Sequence, residues 1–211
     1  LLEGARTNLA KYSDDLSNAV WVATNITKGS TSTTGIYGSA ITTVEATASA
    51  ANGTLLQTVT AGSAAYTYST YLKRKTGTGN IDITVNGGTG WTTCTVTSSW
   101  SPCSVTATVT NPQVGIRIVT SGDAVYMQGS QVEAGAFRSS TIYTTTGSAN
   151  RVATSLTRSW NFPSNNFSFH VVFRPAAGEP DYGVKTLLYL HDAATTNKLN
   201  VGSYSNGTYW I

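Results

Sequence analysis

Helical periodicity is almost absent from this 211-residue chain, and that feature constrains its fold most. A helix needs apolar residues at i, i+3, i+4 and i+7 to bury one stripe. The nearest candidate is a single turn over Asp14–Ala19. Runs of period two recur instead. In Tyr66–Lys73, Tyr66, Tyr68, Thr70 and Leu72 alternate with Thr67, Ser69, Tyr71 and Lys73. In Val114–Val119, Val114, Ile116 and Ile118 alternate with Gly115, Arg117 and Val119. The same criteria predict strands over Trp21–Ile26, Ile41–Glu45, Thr54–Val59, Asn80–Val85, Thr92–Thr97, Cys103–Val109 and Val125–Glu133.

Short strands at regular spacing, with no helix to cover a sheet, predict an all-β jelly-roll β-sandwich whose two sheets bury each other's apolar faces. Charged residues make up only 11% of the chain and hydrophobic residues 40%. That excludes the low-hydrophobicity, high-charge composition of a disordered chain. Thr is β-branched and suits a pleated surface, and the 20 glycines supply turns.

The pattern changes after the last of these strands. Ser139–Ala149 is polar and turn-rich, which divides the chain into a module over 1–138, a linker over 139–152 and a second unit over 153–211. In the second unit, strands are predicted over Ser155–Trp160, Phe167–Arg174, Thr186–His191, Lys198–Tyr204 and Thr208–Ile211, with a Pro- and Gly-containing loop over Pro175–Gly183. The unit is short for a sandwich and stops within an apolar strand. It is therefore expected to be incomplete, its sheet finished by further sequence or by a neighbouring chain.

The net charge is +3, and the longest basic run is Lys73–Lys75. Such a run reads as a solvated strand end rather than a nucleic-acid site. No apolar stretch approaches the ~18 residues that span a bilayer. No nucleophile-elbow, phosphate-loop or zincin motif is present. Asp14 and Asp15 read as a turn start rather than as the paired carboxylates of a glycosidase. His170 and His191 read as strand residues. Nothing here points to an enzyme.

Cys94 and Cys103 form the sharpest local pair. If Ser98 and Ser99 centre a hairpin, the two cysteines fall opposite each other and a cross-strand disulfide is geometrically allowed. Two buried free thiols are the alternative.

Several segments carry a family resemblance. Glu3–Trp21 (EGARTNLAKYSDDLSNAVW) resembles the opening of modules reading RTNLL…S…FSNAxW. Tyr66–Lys73 resembles their YTFSVYLK strand, and Trp100–Thr106 their WxRCSVT strand, with Pro102 where Arg is usual. Val125–Phe137 resembles VYLWGAQLEAGxF, and Ser140–Arg151 resembles the exit SYIPTTGxxVTR. Over about residues 1–152 the chain thus resembles a carbohydrate-binding-like jelly-roll module found in tailed-phage virion proteins. Phe167–Ile211 more weakly resembles the start of a laminin-G/concanavalin-like lectin unit.

The resemblance implies a non-catalytic structural protein on the virion surface, in the capsid or tail. It would be a decoration protein, head fibre or tail fibre, with other virion proteins and host-surface glycans as partners. Homo-oligomers, commonly trimers, would be expected. The alternative is a non-catalytic carbohydrate-binding module of a secreted glycan-degrading enzyme. Modules of this kind often hold a structural calcium, for which Glu133, Asp123 and Glu3 are the candidate ligands. Tyr37, Tyr71 and Trp91 are the candidate glycan-stacking residues, the alternative for each being a place in the sandwich core. In the last strand the family carries Trp where this chain has Met127 and Gln128.

Overall fold

The computed structural model describes residues 3–38 and 40–153, and the strand backbones of 185–191, 198–203 and 209–210. The predicted strands over Ser155–Trp160 and Phe167–Arg174, the loop over Pro175–Gly183, and His170 lie outside the described residues. The chain divides into two units, Leu1–Thr157 and Arg158–Ile211.

The first unit contains β1 (Arg6–Asn8), β2 (Val22–Thr24), β3 (Ile26–Thr34), β4 (Ala40–Ala48), β5 (Gly53–Thr58) and β6 (Ala64–Thr76). It continues with β7 (Ile81–Thr84), β8 (Thr92–Cys94), β9 (Ser101–Val109), β10 (Gln113–Ile118), β11 (Ala124–Ala134) and β12 (Ala149–Arg151). These strands build an antiparallel jelly-roll sandwich. One sheet has the order β2-β5-β10-β7-β8 and the other β3-β4-β11-β6-β9, with β1 and β12 forming a separate pair. The second unit contributes β13 (Lys185–His191), β14 (Lys198–Ser203) and β15 (Tyr209–Trp210), an antiparallel meander. Among the described residues no helix is long and apolar enough to cross a membrane.

Alternation decides which side chains meet between the sheets. Tyr66, Tyr68, Thr70 and Leu72 of β6 all turn inward and are buried, as their period predicts. Val114, Ile116 and Ile118 of β10 face them from the other sheet, with Leu55, Ile81 and Ile83 beside them. The single helical turn expected over 14–19 is instead two linked turns, Asn18 N–H to the Asp15 carbonyl and Trp21 N–H to that of Asn18. They deliver Trp21 into the core, where its indole N–H reaches the Tyr12 carbonyl at 3.1 Å.

Cys94 and Cys103 are bonded, with Cα atoms 5.9 Å apart. They do not face each other across a hairpin, as the sequence suggested. β8 pairs with β7 in one sheet and β9 with β6 in the other. The bridge therefore ties an edge of one sheet to an edge of the other.

The linker expected over 139–152 is corrected by packing. The segment after β11 turns back across the outer face of its own sheet, and Ser139, Ile142 and Thr144 are buried there. Ile142 N–H donates to Gln131 Oε1 at 2.6 Å, and Ser139 N–H to Glu133 Oε2 at 2.9 Å. The N-terminal segment lies beside it: β1 pairs with β12 through Arg6↔Arg151, Thr7↔Asn150 and Asn8↔Ala149. Asn8 is fully buried at the junction. Its Nδ2 donates to the carbonyls of Ser130 and Ile142, and its Oδ1 accepts from the N–H groups of Ala10 and Val132.

Asn8→Ala would leave four buried backbone groups without partners, so unfolding in urea should show a loss of about 3 kcal/mol or more. Replacing both cysteines by serine should cost about 2–3 kcal/mol in the same measurement, from the loop-closure entropy of a separation of 9 residues.

Candidate functional site

The outer face of the β3-β4-β11-β6-β9 sheet carries the aromatic residues that could contact a ligand. Two features shape it. The first is a bulge in β11: Gln128 pairs with Tyr71 and Gln131 with Ser69, so β11 spends an extra residue there. The bulge resets the alternation, turning Met127 and Val132 inward and Gln128, Gln131 and Glu133 outward. Gly129 takes φ +64° at this point, and a Cβ there would lie 3.0 Å from Thr141 Cγ2. Met127 and Gln128 thus divide between core and outer face.

The second feature is the β3–β4 hairpin. Its strands pair along all of Ile26–Thr34 and Ala40–Ala48, but β4 pairs with β11 only through Glu45, Ala46 and Thr47. The hairpin tip instead reaches over the sheet. Ile36 N–H donates to Gln128 Oε1 at 2.9 Å, Trp100 Nε1–H to the Thr34 carbonyl at 2.7 Å, and Lys73 Nζ to Thr33 Oγ1 at 3.4 Å.

Between this tip and the segment following β11 lies a cluster of tyrosines. Tyr37 and Tyr143 are 67% and 43% exposed, and their rings meet edge to face at 6.5 Å and 75°. Tyr71 is half-buried on β6. Arg138 lies 5.4 Å from the Tyr71 ring centroid and its Nη1 donates to the Tyr71 hydroxyl at 3.1 Å. Asp14 accepts from Gly129 N–H at 2.6 Å. Burial raises the Asp14 pKa, outweighing the hydrogen bonds from Gly129 and Gln128 that lower it. The Tyr143 hydroxyl is also raised, first by desolvation and then by the negative charge of Asp14 and the neighbouring Tyr37. It is therefore neutral and a hydrogen-bond donor at any physiological pH. Neighbouring same-face positions carry Lys73, 5.9 Å from the Tyr126 ring and 6.0 Å from that of Trp100.

Tyr37 and Tyr71, both named from the sequence, are thus brought to one face, but Trp91 is not. It belongs to the opposite sheet's surface, with the Arg117 guanidinium 4.6 Å from its ring centroid. Tyr143 and Arg138 were missed. Tyr143 was hidden because its segment read as linker, and Arg138 because no strand period extends to it.

The proposed calcium set does not converge. Asp123 precedes β11 and Glu133 is its penultimate residue, about 30 Å apart at strand rise. Asp123 is engaged by Arg74 at 3.3 Å and by Gly79 N–H at 2.7 Å, and Glu133 by Ser139. Glu3 pairs with Arg151 and accepts from Ser140 N–H at 3.1 Å. Among the described residues no group of three His, Cys, Asp or Glu side chains could hold a metal.

No protein-family model matches the chain, and no curated protein sequence matches it. Solved structures do. The CBM22-1–GH10 modules of Clostridium thermocellum endo-1,4-β-D-xylanase 10B, complexed with xylohexaose, are 13% identical over 67% of this chain, with TM-score 0.45. This chain spans only 30% of that one. The CBM22-1 xylan-binding domain from Paenibacillus barcinonensis is 12% identical over 65% of this chain and 99% of its own, with TM-score 0.46. A carbohydrate binding module from Cellvibrio mixtus lichenase 5A, complexed with cellotriose, is 15% identical over 62% of this chain and 97% of its own, with TM-score 0.39.

A raised Asp14 pKa has a definite consequence for stability. Between the ordinary value of 3.8 and the raised one, the folded protein binds more protons than the unfolded chain, so stability falls as pH rises through that window. Asp14→Asn keeps an acceptor for Gly129 and removes the charge. Urea titrations should show the variant gaining on wild type as pH rises from about 3 to about 7.

Proposed function

We propose that the first unit is a non-catalytic glycan-binding module whose contact surface is the Tyr37–Tyr71–Tyr143 cluster. The carrying observation is the exposed, edge-to-face Tyr37–Tyr143 pair standing beside Tyr71 on an otherwise Thr-, Ser- and Gln-rich face. A tyrosine ring offers an apolar face that stacks on the C–H face of a sugar, and its hydroxyl bonds the sugar's rim. Gln128 and Arg138 supply further polar groups from the floor and side of the cluster. The exposed aromatic pair stands beside the further rings of Tyr71, Trp100 and Tyr126 on the same face, an aromatic patch that favours a partner. The chemistry assembled here is stacking and hydrogen bonding. Asp14, the carboxylate beside the cluster, is occupied by a backbone amide.

A second reading places the module on a virion surface, as a decoration or fibre protein with other virion proteins and a homo-oligomeric neighbour as partners. It is favoured by the sequence resemblance over about residues 1–152, whose two ends lie side by side as β1 and β12. Immunogold labelling that left purified particles unmarked would dispose of that reading. The lectin-like assignment of the second unit rests on its own weak resemblance and goes with the same reading.

Affinity electrophoresis through gels holding a panel of soluble polysaccharides tests the glycan reading. At least one polysaccharide should retard the protein, and Tyr37→Ala and Tyr143→Ala should each weaken that retardation by about fivefold to tenfold. Trp91→Ala should leave it unchanged, since Trp91 lies on the other sheet.

A further inference from the structure

The Lys73–Lys75 run, read from sequence as a solvated strand end, lies next to the tyrosine cluster. Tyr71 and Lys73 occupy successive same-face positions of β6, about 6.6 Å apart, and Lys75 follows at a bulge opposite Ala124 and Val125, reaching the same face through Glu45 and Tyr126. Arg138 covers Tyr71, Lys73 sits near both Trp100 and Tyr126, and Lys75 lies 6.0 Å from Tyr126 while pairing with Glu45. Cations and aromatic rings therefore interleave along one strip.

The two cations nearest the tyrosines differ from most others in the unit. Arg74, Arg117 and Arg151 each pair with a carboxylate. Lys28 is held by the carbonyls of Ser17, Asn18 and Trp21. Lys73 and Arg138 have no carboxylate partner among the described residues. Among the described residues the Lys73 ammonium, with three N–H donors, bonds only the Thr33 hydroxyl, and the Arg138 guanidinium, with five, bonds only the Tyr71 hydroxyl. Most of their donors are thus left for a ligand. The adjacent negative groups are already engaged: Glu45 takes Lys75, Thr31 and Thr47, and Asp14 takes Gly129.

We propose that this strip selects anionic glycans, the tyrosines stacking on the sugar rings while Lys73 and Arg138 bind their carboxylate or sulfate oxygens. The proposal rests on the glycan-binding reading and adds the charge class of the ligand. A planar guanidinium matches a carboxylate or sulfate through two parallel hydrogen bonds, and Lys73 adds a point charge one same-face position along.

The test uses the whole chain and paired polymers that share a backbone and differ in charge: polygalacturonate against its methyl-esterified form, and dextran sulfate against dextran. In affinity electrophoresis the charged member of each pair should bind about tenfold more tightly or better. Raising the salt from about 20 to about 300 mM should weaken that binding. Lys73→Met and Arg138→Gln should each lower it about fivefold or more, with thermal melts confirming that both variants are folded. If neutral and charged members bind equally, or if both variants bind like wild type while Tyr37→Ala loses binding, charge selection is overturned and the glycan reading stands. If no polymer binds, both fall. A single-stranded oligonucleotide that binds more tightly than either charged polysaccharide would overturn the proposal in favour of a nucleic-acid ligand.

Discussion

The buried side chain of Asn8 holds together three pieces of chain that lie far apart in sequence. Its amide spans the N-terminal segment, β11 and the segment that crosses back over β11, and all four of its hydrogen bonds go to backbone groups. A buried amide satisfied on both ends is strongly position-specific, because an apolar replacement strands every partner at once. The neighbouring contacts repeat the arrangement. Ser13 and Thr144 exchange bonds from N–H to hydroxyl in both directions, and Tyr12 N–H reaches the Thr145 carbonyl at 2.8 Å. Residues more than a hundred positions apart therefore meet through polar, directional contacts over a sheet face that would otherwise be open to water.

That arrangement explains the shape of the tyrosine face. The crossing segment covers Thr67, Ser69, Gln131 and Glu133, which is why these polar residues are buried on the outer side of the sheet. It lays Arg138 against Tyr71 and carries Tyr143 to the margin. From the other side the β3–β4 hairpin tip carries Tyr37 to Tyr143 and pins itself to Gln128. Neither tyrosine of the exposed pair comes from a strand of the sheet beneath it. The rings are held by segments that are themselves hydrogen-bonded to the sheet, so their placement is set by the fold.

Much of this fold was legible from alternation alone. β6 over Tyr66–Leu72 and β10 over Val114–Ile118 put their apolar alternation inward, because a one-residue slip would move it out of the core. β3 was missed for the converse reason. Its sequence, ITKGSTSTT, buries no apolar side, and it is a strand because β4 pairs with every residue of it. β1 and β12 were missed because three residues carry no period, and the linker reading failed because Ser139 and Thr144 are buried through hydrogen bonds rather than apolarity. At the site, Tyr37 and Tyr71 could be picked out as aromatics beside polar residues. Tyr143 could not be joined to them, since what brings it there is the Asn8 and Ser13 contacts from the far end of the module. The cysteines were placed correctly in strands, but the strands were assigned to one hairpin instead of to two sheets.

The two outer faces of the sandwich differ in how their charges are used. On the β2-β5-β10-β7-β8 face, Asp82 is buried beneath Arg117, which donates from Nε at 3.0 Å and Nη2 at 2.6 Å to one carboxylate oxygen, while Thr93 donates to the other. Trp91 then stacks on the guanidinium, and its ring packs so near Gly88 that a Cβ there would lie 2.8 Å from Cζ2. Charge, ring and hydrogen bonds are satisfied within the protein, so this face has little to gain from a ligand. On the β3-β4-β11-β6-β9 face, Lys73 and Arg138 face aromatic rings and hydroxyls in place of carboxylates, and two tyrosine rings stand in water. A cation over a ring is favourable but leaves its N–H donors free to turn toward a negative oxygen. The same residue types, Trp or Tyr with a cation, are thus closed by a carboxylate on one sheet and not on the other: the strand residue opposite Arg117 is Asp82, whereas the one opposite Lys73 is Tyr126.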